Sequence, residues 1–90
     1  MLTCTCPRRQ ALVLRAFDDA VVVYDEGPGD LHALEPLAAQ ALMLCLDGQP
    51  RTEAQIGAAL FGETVDDECM QLLREWLHAF ERLGWLVCRE

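Results

Sequence analysis

Pro36, set between "DLHALE" and "LAAQALMLCL", limits what this chain can fold into more than any other residue. Proline has no N–H to give to a strand ladder, and its fixed φ suits the first turn of a helix, so an extended run must stop at Glu35 where a helix starts. Gly27-Pro28-Gly29-Asp30 has turn chemistry, which leaves a strand of only about five residues, "DLHALE", ahead of the proline. After it, residues 37–46 are apolar around nearly the whole helical circumference, with Gln40 as the one polar side chain. A helix of that kind is enclosed on most sides and is expected at the centre of the core. Asp47-Gly48 closes it, because glycine accepts the left-handed conformation beyond a helix end.

Upstream, "QALVLRAF" (10–17) and "AVVVYDE" (20–26) are rich in β-branched, leucine and aromatic residues, with only Asp18-Asp19 between them, and read as a hairpin. Together with 30–35 they predict a three-stranded antiparallel meander. Downstream, Thr52 followed by Gln55 is a capping signature opening the helix "EAQIGAALFG", which ends at Gly62. A third helix begins near Val65-Asp66-Asp67-Glu68, where acids favour the positive end of the helix dipole, and stops at Gly84. "GWLVC" (84–88) follows as a short extended piece. At about 100° per residue, Cys69, Leu72, Leu73, Trp76, Phe80 and Leu83 share one face of the third helix, with Met70 and Leu77 on its flank. This apolar arc of about 160° exceeds the ~100° a core-facing stripe needs, so it either covers a broad core or lines a groove. The expected fold is α+β, three strands followed by three helices as in winged helix-turn-helix domains. Residues 1–9 are expected as a flexible arm ahead of a single domain over 10–90.

The charge balance bears on partners. Fifteen acidic against seven basic residues give a net charge of −8, which repels a polyanionic backbone and excludes nucleic acid as the expected partner. All seven bases are arginine, a bias that fits a GC-rich bacterial source. No apolar run approaches the roughly 20 residues of a membrane span, and "MLTCTCPRRQ" lacks the order of a secretory signal, so a cytoplasmic protein is expected. Five cysteines form an odd set, and Cys45, Cys69 and Cys88 lie inside apolar patterns, so no disulfide framework is expected. Cys4-Thr5-Cys6 lacks a second Cys or His pair at zinc spacing, and no metal is expected. The chain has no serine, nucleophile elbow or phosphate-cradling glycine loop, and Cys45 and Cys69 fall on apolar faces that lower thiol reactivity. Neither an enzyme nor a cofactor is expected. His32 and His78 have no nucleophile pattern near them and read as surface or hydrogen-bonded residues.

The run Gly29-Asp30-Leu31-His32-Ala33-Leu34, then Pro36-Leu37-Ala38-Ala39, then Asp47-Gly48, then "ERLGWL" resembles the PqqD-like peptide chaperones, also called RiPP recognition elements, in particular the subgroup of HPr-rel-A systems. The resemblance covers residues 10–88. It departs from the family at Glu35, where relatives carry Asn, Ser or Asp as a better cap, and at the Cys-x-Cys arm. The resemblance implies binding without catalysis: capture of the leader segment of a ribosomally made precursor peptide and its presentation to a modifying enzyme. It places the peptide between the third strand (Asp30, Leu31, His32, Ala33, Leu34) and the third helix (Met70, Leu73, Trp76, Leu77), paired to the strand by β-augmentation. Leu31, Leu34 and Trp76 read equally well as core residues. Two other classes stay open on the residues alone, a winged-helix DNA-binding regulator and a structural subunit that homodimerises through its open edge.

Overall fold

The computed structural model describes residues 2–90, Thr64 by its backbone alone. Asp18-Asp19 is the whole turn between β2 (Leu12–Phe17) and β3 (Ala20–Asp25), which pair antiparallel from Leu12↔Asp25 to Phe17↔Ala20. These follow β1 (Thr3–Thr5) and a single 3-10 turn at Arg9–Ala11. Gly29, at φ 80°, supplies the left-handed residue of the next turn, and its N–H reaches the Asp25 carbonyl at 2.9 Å. β4 (Asp30–Leu34) then returns along β3, from Asp25↔Asp30 to Val21↔Leu34. Because side chains alternate, this register gives the sheet an inner face with the rows Leu12–Asp25–Asp30, Leu14–Val23–His32 and Ala16–Val21–Leu34. Val23, at its centre, is fully buried.

Helix α1 (Pro36–Leu44) starts on its proline, with Glu35 extended at the N-cap and making no side-chain cap bond. Its Ala38, Ala39, Ala41 and Leu42 are buried with Cys45 just beyond, but Leu37, Gln40 and Met43 are exposed, so the apolar helix packs one face on the core and is not enclosed on most sides as its composition predicts. The two-residue strand β5 (Arg51–Thr52) leads into α2 (Glu53–Phe61), opened by a reciprocal capping box: Thr52 Oγ1 accepts from the Gln55 N–H at 3.1 Å and Gln55 Oε1 accepts from the Thr52 N–H at 2.9 Å. Asp66 caps α3 (Asp67–Arg82), accepting from the Cys69 N–H at 2.8 Å, and Gly84 at φ 79° ends it. The architecture is α+β, a three-stranded sheet followed by three helices. No helix among the described residues is long and apolar enough to cross a membrane.

Two further expectations are corrected here. Residues 3–5 are not a loose arm: β1 is the middle strand of a second antiparallel sheet, β5-β1-β6, completed by β6 (Val87–Arg89), and Cys4 and Cys6 are buried. Nor are the cysteines all free, because Cys4 and Cys88 face each other in the β1–β6 register and are disulfide-bonded. Both misreadings have one cause. Strands of two or three residues are too short for hydrophobic periodicity to register, and their partners lie about half a chain or a whole chain away.

Candidate functional site

β4 is the end strand of the sheet β2-β3-β4, and among the described residues it pairs only with β3. The C-terminal strand β6 is engaged by β1 instead. An end strand carries alternate N–H and C=O groups that no neighbour satisfies, and residues 31–34 therefore present a row of backbone donors and acceptors outward. The two faces of β4 differ. His32 and Leu34 point inward and are half-buried, whereas Leu31 and Ala33 lie exposed on the outer face, Leu31 at 67%. Asp30, at the strand's start, is exposed.

Behind His32 stands Trp85, in the short extended piece that follows α3. The His32 ring meets the indole edge to face, with centroids 5.1 Å apart, and the indole stacks on Phe80 of α3 at 5.7 Å. Trp85 is fully buried, and its Nε1–H donates to Asp25 Oδ2 at 3.0 Å. The buried Asp25 also accepts from the Arg8 guanidinium at 2.6 and 3.2 Å and from the Gly27 N–H at 3.0 Å. The Arg8 hydrogen bond, against the opposing effect of burial, holds the Asp25 carboxyl below the usual carboxylate range, with the Gly27 and Trp85 bonds assisting. Arg8 is raised in turn, chiefly by the same bond. A Cβ at Gly27 would lie 2.5 Å from Arg8 Nη2, so glycine there leaves the guanidinium its space. A signal for Asp25 was present in "VVVYD": strict alternation puts residue 25 on the same face as Val23.

The second wall is less simple than the sequence suggested. Leu73 and Leu77 are fully buried in the core and offer no surface to a guest chain. Met70 is turned toward α2, where a Cβ on Gly57 would come within 2.8 Å of its Sδ, and the Arg74–Glu53 ion pair at 3.0 Å binds the same side of α3 to α2. Trp76 is half-buried and packs against the core. Exposed apolar surface remains instead at Leu72 (38%) and Leu83 (39%), which share a helical stripe with Trp76 at about 100° per residue. The wide arc of α3 therefore divides into a buried half facing the core and α2, and a margin where Leu72 and Leu83 are exposed and Trp76 is half-buried.

The remaining thiols are subdued. Burial pushes Cys45 up to about 11, with the neighbouring Cys6 adding to it, and burial also raises Cys6. Cys69 is raised first by its hydrogen bond to Asp66. Among the described residues no group of three or more His, Cys, Asp or Glu is arranged to hold a metal ion.

No family model matches the chain, and no curated protein matches it in sequence. A solved structure does: TbiB1 in complex with the TbiA(beta) leader peptide is similar to it at 24% identity, over 91% of this chain and 93% of that one, with a TM-score of 0.70. Over nearly its whole length, then, the chain has the α+β fold of TbiB1.

Proposed function

We propose that this chain is a non-catalytic peptide-binding module that captures the leader of a ribosomally made precursor by adding it as a fourth strand to β4, and presents it to a modifying enzyme. The reading is carried by the open edge of residues 31–34, the end strand of its sheet. It is supported by the shared fold with TbiB1, whose structure contains a leader peptide. Main-chain bonds to β4 supply affinity without regard to sequence, and side-chain pockets supply choice. Alternate guest side chains point inward, toward His32, Leu34 and the stripe of Leu72, Trp76 and Leu83, with Leu73 and Leu77 packed beneath as support. Met70 then acts indirectly, by fixing α3 against α2. With its thiols raised well above neutral pH, the module holds its guest without reacting with it.

Hydrogen exchange tests the reading. A saturating synthetic leader peptide is expected to slow exchange of the outward amides in residues 31–34 and to leave those of β2 unchanged. Equal exchange with and without leader would falsify strand addition.

A further inference from the structure

Two short runs of chain join the Cys-x-Cys arm to the groups that lie behind β4. Cys4 of β1 and Cys88 of β6 close the two ends of the chain on each other by a disulfide. Arg8 comes four residues after Cys4, and Trp85 three residues before Cys88. These two side chains, one beyond each bridged strand, both donate to the buried Asp25 at the end of β3, at 2.6 and 3.0 Å. Trp85 in turn backs His32 of β4. The bridged sheet shares no strand with β2-β3-β4, so the bridge reaches the open edge through these side chains and the core, not through a common ladder. β6 is an end strand of three residues that pairs with β1 alone, and so short a ladder frays readily once its covalent tie is cut.

The bridge is open to exchange from one side. Cys4 is fully buried, but Cys88 is only half-buried and lines a depression of about 380 Å³ whose wall includes Arg74, His78 and Glu81 of α3. A thiol arriving from outside therefore meets Cys88 Sγ first. Cys6 and Cys45 do not take that part: both are buried and held as neutral thiols, and only a thiolate attacks a disulfide.

We infer that the Cys4–Cys88 bridge is a thiol–disulfide switch on leader capture. Closed, it holds Trp85 against His32 and sets the β4 edge for a guest; opened by a dithiol reductant, it frees β6 and the edge loses its backing. The inference rests on the peptide-capture reading above. In the opening step a thiolate of the reductant bonds to Cys88 Sγ, the bond between the two cysteines breaks, and its electron pair leaves on Cys4 Sγ, which takes up a proton. The reductant's second thiolate then attacks its own sulfur in the mixed disulfide, and Cys88 leaves with the electron pair and takes up the second proton. Two electrons pass to the chain, the two protons are those the reductant's thiols gave up, and the reductant ends as a disulfide. A guest that pairs only with the set edge binds in proportion to the fraction of chains so set, and a fall of that fraction to about a tenth weakens apparent affinity about tenfold.

The test uses the wild-type chain carrying ¹⁵N-labelled tryptophan, equilibrated with reduced or oxidised dithiothreitol. Exchange of the Trp85 indole N–H is read by NMR, and affinity for the synthetic leader peptide of the exchange test above by calorimetry. Reduction is expected to speed indole exchange and to weaken the leader about tenfold, and reoxidation to restore both. Cys4→Ala/Cys88→Ala is expected to behave as the reduced chain in either buffer, and Cys6→Ala to keep the full response. Equal leader affinity in the two buffers overturns the inference. So does loss of the circular dichroism of the fold on reduction, which would make the bridge a staple for the whole domain, and so does a response abolished by Cys6→Ala, which would assign the exchange to another pair. Should the leader bind neither state while indole exchange still follows the bridge, the capture reading falls and the coupling of the bridge to Trp85 stands.

Discussion

At the scale of single residues, Asp25 does the most. One buried carboxylate joins the N-terminal segment through Arg8, the second turn through Gly27 and the C-terminal segment through Trp85. Its folded pKa lies below its unfolded one, so its contribution is present at pH values above the unfolded carboxyl value and is lost as pH falls through the folded value. The wild-type chain is therefore expected to lose stability below about pH 4, and Asp25→Asn to be less stable at neutral pH with a flatter acid limb, as measured by urea midpoints across pH. Trp85→Ala, which empties a fully buried site, is expected to cost about 3–5 kcal/mol in the same measurement. Cys45, pushed up to about 11, is expected to resist iodoacetamide at pH 8 until the chain is unfolded. Sequence made the thiol behaviour legible, because an apolar helix face implies burial. It left Asp25 unread, because an acid at the end of a strand looks like a turn residue until its three donors, two of them 17 and 60 positions away, are brought to it.

At the scale of elements, what could be read locally was read well. Pro36 set the start of α1, Thr52 and Gln55 that of α2, and the glycines at 48, 62 and 84 follow α1, α2 and α3 with positive φ. Thr52→Ala breaks the reciprocal cap and is expected to destabilise by about 1 kcal/mol in thermal or urea unfolding. The sheet β5-β1-β6 escaped because its information is non-local: a pair such as Cys4 and Cys88, 84 positions apart, has no signature in either short segment. In the chain-entropy account a loop of that size is worth about 4.5 kcal/mol, so dithiothreitol is expected to lower the melting temperature markedly. The β2-β3-β4 sheet shares no strand with this clasp, and exchange of its amides is expected to be disturbed less than that of β1 and β6.

At the scale of the whole molecule, the edge strand was legible and the exposed side of α3 was only partly so. Pro36 and the turn before Asp30 dictate a brief third strand of the meander, and a meander must end in an open edge. Which side of α3 stays uncovered depends on how α2 crosses it, which the small Gly57 against Met70 helps decide, and no helical wheel of α3 alone contains that. The ring contact between His32 and Trp85 has a further use. The chain has two tryptophans, and the buried one touches the very strand proposed to receive a guest. Imidazole quenches indole emission at short range, so a chain in which Trp76 is replaced by phenylalanine would carry a single tryptophan, excitable apart from Tyr24, whose quantum yield tracks the set of the His32 ring. Occupancy of the sheet edge could then be followed in real time by light alone, without a label on either partner.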